Sequence, residues 1–343
     1  MNWHVLTLSA LAALVSSWLL TGAMRRYALA SHLLDTPNER SSHQQPTPRG
    51  GGVAFVITYL VLLAALGLTG QIDPRLSIAT VAGGVVIAVL GFVDDRSSMS
   101  AGKRFLGHLA ASIWVLVWMG GVPRIPVFGF TVDLWIFGPA LSLLFATWMI
   151  NLFNFMDGID GIASVEAISV SVGGAWLWFA TGSGNGWIAA LLFAACVAGF
   201  LFWNFPPAKI FMGDAGSGFL GLVVATLALW CGHASPSLFW SWFILIGCFM
   251  VDATTTLIRR ARRGGKFSEA HRSHAYQYAS RLYGSHRKVT LAVLALNVIW
   301  LLPLATLVAF GRLDGMLGVT IAYAPLVWLA FRYKAGDYAL QEV

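Results

Sequence analysis

The stretch Leu76-Ser77-Ile78-Ala79-Thr80-Val81-Ala82-Gly83-Gly84-Val85-Val86-Ile87-Ala88-Val89-Leu90-Gly91-Phe92-Val93 carries no charge, and it ends abruptly in Asp94-Asp95-Arg96. An apolar run of this length is long enough to cross a bilayer as a helix. Ten more such runs surround it, at 3–24, 53–69, 105–121, 134–152, 162–181, 187–203, 218–232, 238–258, 289–310 and 315–331, and the one at 218–232 is the shortest. Composition points the same way. Of 343 residues 57% are apolar and 11% charged, against about 25% charged in an ordinary soluble domain. With a mean hydropathy of +0.72 and fifteen Trp, the apolar residues are too many for one core to hide. The expected fold is all-α, a polytopic integral membrane protein of about eleven transmembrane helices forming one domain over 1–343, with the lipid bilayer as its solvent. Thirty-six Gly without a three-residue period exclude a collagen-like chain. Cys196, Cys231 and Cys248 sit inside apolar runs, without disulfide or zinc spacing, and read as small hydrophobes.

Basic residues orient the spans, because cytoplasmic loops carry Lys and Arg in excess. With the N-terminus outside and the C-terminus inside, only Arg75, Arg124 and Arg312 of the 22 basic residues face outward. Ala28-Leu29-Ala30 looks like a processing site, but it follows Arg25 and Arg26 and no basic region precedes the first run. That span is therefore read as retained. The net charge of +7 becomes a membrane-surface feature. Scattered over separate loops with no binding module, it gives no ground for nucleic acid as a partner.

Nearly all residues capable of chemistry then fall on the inner loops 24–52, 94–104, 153–161, 204–217 and 259–288. Gly50-Gly51-Gly52 at a helix start, with Arg40 and Arg49 near it, is either a turn-rich connector or a place where bare N–H groups meet a phosphate. Asp94 and Asp95 oppose the dipole of their own helix and each other, so they gain nothing without a cation nearby, unless they are a solvated pair. Asp157 and Asp160 are three apart, each followed by Gly, either on one helical face or in an Asx-rich turn. Asp214 precedes a Gly-rich helix start, as an N-cap or as a carboxylate joined to an anion by a divalent metal. Asp252 lies deep in a span, where an ionisable residue is a functional candidate. His271 and His274 are three apart, too few for a zinc site.

In this order the loops closely resemble the polyprenyl-phosphate N-acetylhexosamine-1-phosphate transferases, relatives of the muramyl-pentapeptide translocase, from Asp35 to Gln277. The matching elements are Asp35 with Pro46-Thr47-Pro48-Arg49-Gly50-Gly51-Gly52, Asp94-Asp95, Asn154 through Gly161, and Asn204 with Pro207-Ala208 and Phe211-Met212-Gly213-Asp214. Arg40-Ser41-Ser42-His43 and His271 through Gln277 look most like the branch that initiates O-antigen on undecaprenyl phosphate. One departure stands out. Many members carry a His-x-His-His cluster in the last inner loop; here His274 is in register, with Tyr276 and Gln277 in the other places.

The resemblance implies transfer of a sugar-1-phosphate from a UDP-N-acetylhexosamine to undecaprenyl phosphate with release of UMP, at the cytoplasmic face of a bacterial inner membrane. It implies Mg2+, with Mn2+ as substitute, held by Asp214 together with Asp94. By the same resemblance Asp94 and Asp95 lie at the lipid phosphate, Asp157 and Asp160 orient the nucleotide or sugar, Asn204 and Phe211 bind the uracil, and Arg272 with His274 holds the diphosphate or sugar. Arg40, His43, Arg49 and Asn154 complete the substrate-binding set, and a homo-oligomer is compatible with it. Both substrates are anions, so a metal and basic groups are needed to screen their repulsion. The competing classes are a secondary transporter, which requires discontinuous helices and midplane charges, and a non-catalytic scaffold.

Overall fold

The computed structural model describes residues 3–36, 46–97, 99–120, 125–128, 130–132, 137–264 and 272–337. Arg40 and His43 lie outside the described residues. The first seven helices are α1 (Trp3–Ala30), α2 (Gly52–Leu68), α3 (Pro74–Arg96), α4 (Ala101–Met119), α5 (Phe137–Phe155), α6 (Ile162–Ala180) and α7 (Trp187–Asn204). They are followed by α8 (Asp214–Ala234), α9 (Pro236–Leu245), α10 (Gly247–Arg262), α11 (Ala275–Tyr283), α12 (His286–Ala295), a π-helical turn at Leu296–Leu301, α13 (Leu302–Ala309) and α14 (Gly315–Arg332). Two short antiparallel ribbons accompany them, β1 (Leu34–Asp35) with β2 (Thr47–Pro48), and β3 (Ile125–Val127) with β4 (Phe130–Val132).

The fold is a polytopic all-α membrane protein. Among the described residues eight helices are long and apolar enough to span, with α12, the π turn and α13 taken as one, and the bent pair α9–α10 makes a ninth. The expectation of eleven differs for identifiable reasons. Helix α2 has only 17 residues, and Lys103 and Arg104 in the first turn of α4 lower its hydropathy. The run at 238–258 is no straight span, since its two halves bend by 68° at Ile246. The last inner loop is not simply a loop either, as it contains α11.

The weakest apolar run turned out to be the hub. Helix α8 has 94% of its apolar window buried within the protein, against α3, α5, α2 and α9. Its window reads short because its first turns are Gly and Ser, the small residues that let membrane helices approach closely. At Gly91 of α3 an added Cβ would lie 2.5 Å from the Ala215 Cα of α8. At Gly221 of α8 it would lie 2.7 Å from the Ile150 Cα of α5. The outer aspect of the bundle is apolar and exposed, as in Val61, Leu106, Val117 and Trp328. That is the arrangement of a protein dissolved in lipid, where burial does not require the helix exterior to be polar.

Candidate active site

The tight crossing of α3 and α8 sets the C-terminal end of one helix against the N-terminal end of the other. Asp94 and Asp95 close α3, and Asp214 opens α8. The Asp214 amide donates to Asp95 Oδ1 at 3.2 Å, as expected where an unsatisfied helix N-terminus meets a carboxylate. Arg49 reaches the same oxygen at 2.9 Å and also donates to the Asp95 carbonyl at 2.6 Å. Asp94 accepts at both oxygens, at Oδ2 from Arg104 at 2.8 Å and at Oδ1 from the Met99 amide at 2.6 Å. Arg104 lies 3.7 Å from Asp214 as well, so one guanidinium spans both helices. Among the described residues Asp95 Oδ2 is buried without a partner.

Loop-to-loop stitching brings the remaining candidates in. Phe211 donates its amide to the Pro48 carbonyl at 2.8 Å, and Gly51 and Gly52 donate to Phe211 and Met212, each at 2.9 Å. The glycine triplet thus serves as a backbone seam, tying the Arg49 segment to the start of α8. Asn204 is buried and spans two loops, accepting from the Gly161 amide at 3.1 Å and donating to the Ile210 carbonyl at 3.1 Å. Its amide is used in holding the site together. Asp160 accepts from the Ala208 amide at 3.0 Å and pairs with His286 at 3.3 Å, and Asn154 accepts from Ser217 at 3.3 Å. Asp157 sits on the turn between these elements. Burial, and then the charges of Asp214, Asp160 and Asp95, push its carboxyl well above the usual carboxylate range.

The last segment is held by Asp252. This buried carboxylate accepts the Ala275 and Tyr276 amides at 3.0 Å each and lies 3.3 Å from His274 Nδ1. It therefore caps α11 from another helix, satisfying N–H groups that have no intrahelical partner. Tyr276 and Gln277 are structural: the Tyr276 hydroxyl donates to the Phe155 carbonyl at 3.0 Å and Gln277 accepts from the His274 amide at 3.3 Å. The chain after α14 fastens the same segment. Gly336 donates to the Ser273 carbonyl at 2.7 Å, Arg263 pairs with Asp337 at 2.9 Å, and Arg259 donates to the Ala335 carbonyl. Arg272 accepts from Arg281 through its carbonyl at 3.3 Å. Among the described residues it forms no ion pair with the aspartates.

Five aspartates thus share one end of the bundle with two guanidiniums, Arg49 and Arg104. No three His, Cys, Asp or Glu side chains among the described residues form a ready-made metal cage. Mg2+ does not need one, because it takes one or two carboxylates and fills its other positions with phosphate oxygens and water. Asp214, one-third exposed, and the unpartnered Asp95 Oδ2 fit that donor set, and each Asp94 oxygen, with one hydrogen bond, keeps a second lone pair for it. Sequence reasoning used Arg104 only as a topology marker and did not single out His108 or His286. The available signal was position: Arg104 lies in the first turn of the span that follows Asp94-Asp95, where a tight reversal returns it to them. An apolar groove of about 400 Å3 runs from Met156, which precedes Asp157, and Tyr276 between α10, α11, α12 and α14, past Phe249, Val289, Leu296 and Leu329.

Comparison with known proteins adds a match of residues 77–232 to the model of glycosyl transferase family 4. A probable undecaprenyl-phosphate N-acetylglucosaminyl 1-phosphate transferase of Bacillus subtilis is 30% identical, over 84% of this chain and 81% of the relative. A decaprenyl-phosphate N-acetylglucosaminephosphotransferase of Mycolicibacterium smegmatis is 30% identical over 98% and 91%. An undecaprenyl-phosphate alpha-N-acetylglucosaminyl 1-phosphate transferase of Salmonella typhi is 29% identical over 85% and 82%.

Proposed function

The chain belongs to glycosyl transferase family 4, the polyprenyl-phosphate sugar-1-phosphate transferases, and from that premise we propose that it moves an N-acetylhexosamine-1-phosphate from a UDP-sugar to undecaprenyl phosphate. The observation that carries this reading is the meeting of Asp94, Asp95 and Asp214 with Arg49 and Arg104 at the end of the α3–α8 crossing, together with an apolar groove that begins at Met156, the neighbour of Asp157. A lipid phosphate oxygen bonds to the β-phosphorus of the donor as the bond from that phosphorus to the bridging oxygen breaks, and UMP leaves. The lipid phosphate is already ionised near neutral pH, so no strong base is required. With both its oxygens engaged, Asp94 serves to aim Arg104 at the phosphates. Mg2+, when held by Asp214 and Asp95, supplies charge neutralisation at the diphosphate. Asp157 and Asp160 face the donor from the adjoining turn. The polyprenyl chain lies in the apolar groove without leaving the bilayer.

The break between α9 and α10 is a feature a transporter would share. Here, however, the ionisable residue beyond the break, Asp252, is spent on capping α11. The finer reading is initiation of O-antigen or a related envelope glycan at the cytoplasmic face of an inner membrane, with N-acetylglucosamine as the first donor to try. Purified protein given undecaprenyl phosphate and a panel of UDP-N-acetylhexosamines is expected to release UMP in a magnesium-dependent way with one of them. Failure with the whole panel overturns the transferase reading. For sidedness, Cys placed at Arg262 should be labelled only from the cytoplasm, and Cys at Thr69, the C-cap of α2, only from outside. The reverse pattern inverts the topology.

A further inference from the structure

His108 lies on α4 one turn beyond Arg104, so the two share a helix face. Only 7% exposed, it lines a small cavity together with Gly91, Asp94, Arg104, Asn154 and Asp214. Its ring is engaged by the Asn151 side chain. The Asn151 Nδ2 group donates to the Thr147 carbonyl at 2.7 Å, which leaves the Asn151 oxygen to face the imidazole. The ring nitrogen facing Asn151 therefore carries the proton. Arg104 already neutralises Asp94 at 2.8 Å, so a neutral ring suffices, and its Nδ1 is then a lone-pair acceptor. Among the described residues Nδ1 is buried and without a partner. The carboxylates around the cavity cannot satisfy it when ionised, because they too are acceptors.

We propose that His108 is a positioning residue for the metal end of the site: its Nδ1 accepts a hydrogen bond from one water lodged in the cavity, and that water belongs to the hydration shell of the divalent cation at Asp214. The cavity, about 10 Å3, is at the lower bound for a single water, which needs two to four polar partners. His108, Asn154 and the carboxylates supply them. A cation-bound water is a strong donor, so it meets the one unmet requirement of the ring. This role rests on the divalent-cation reading above.

The test is Mn2+ binding to the purified full-length protein, followed by electron paramagnetic resonance in wild type, His108→Gln, His108→Leu and His108→Met. The Mg2+ dependence of UMP release is measured in parallel. Leu fills the space without an acceptor and Met with only a weak one, and both should weaken Mn2+ binding about 10- to 100-fold, the usual cost of losing an outer-shell partner. Gln carries both a donor for Asn151 and an acceptor for the water, and should restore most of the affinity. Two apolar variants guard against one that fails to fold. Wild-type affinity in a folded Leu or Met variant, or equal loss in Gln and Leu, overturns the role of His108 while leaving a magnesium-dependent transferase intact. Wild-type protein that neither binds Mn2+ nor releases UMP overturns both readings.

Discussion

Asp214→Asn lowers UMP release to about a thousandth of wild type or less, the scale set by removing a charged group that stabilises a transferring phosphoryl, and it does so without unfolding the protein. The amide of residue 214 that donates to Asp95 is backbone and survives the change. The side-chain charge, by contrast, lies among Asp94, Asp95 and Asp157, and among the described residues only Arg104, at 3.7 Å, offsets it. Removing it relieves repulsion, so the melting temperature in the absence of metal should be unchanged or raised. What is lost is the magnesium-induced rise in melting temperature and turnover. Near-normal turnover with the same magnesium dependence would leave Asp214 as nothing more than the first residue of α8.

Gly91→Val is the second large effect, and it acts through the backbone. An added Cβ at Gly91 falls 2.5 Å from the Ala215 Cα and closer still to the Asp214 carbonyl carbon and the Ala215 nitrogen. Those are helix backbone atoms, not a flexible side-chain tip, so α3 and α8 must separate. Overpacking of a rigid contact costs about 1 to 3 kcal/mol or more. The displacement falls on the crossing that brings Asp94 and Asp95 to Asp214, so activity should fall more steeply than stability. Gly102→Ala is the control, because nothing lies within 4 Å of a Cβ there. Equal activity in the two variants, measured by UMP release beside thermal melting, would show that the crossing does not set the site.

The sequence made the bundle legible because hydropathy reports what a helix offers to its surroundings. It gave α8 as the shortest run for the same reason. A helix surrounded by protein is chosen for small side chains that permit contact, so Gly216, Gly218 and Gly221 weakened the apolar signal at the point of deepest burial. The bend at Ile246 was invisible because hydropathy runs unbroken across it. Within the site, the aspartates and Asn204 were found from motif order. The partners Arg104, His108 and His286 were not, since pairing across helices leaves no mark on spacing along one chain. Asp252 was noticed as a buried charge, yet its use as a cap for α11 depends on a segment 23 residues downstream, and no local pattern encodes that.

The fastening of the Ser273–His274 segment has a consequence for biogenesis. Its cap comes from α10, but its outer clasp comes from Gly336, in a stretch that Arg259 and Arg263 tie to the end of α10 through Ala335 and Asp337 and that leaves the ribosome more than sixty residues later. During synthesis the aspartate end of the site can assemble as soon as α8 has been inserted. The end bearing His274 gains its Asp252 cap once α10 and α11 are in place, but its bond to Gly336 forms only after α14 has entered the bilayer and the chain beyond it has folded back. A nascent chain held in the translocon therefore has its carboxylates in place before the last fastening of the His274 segment is made.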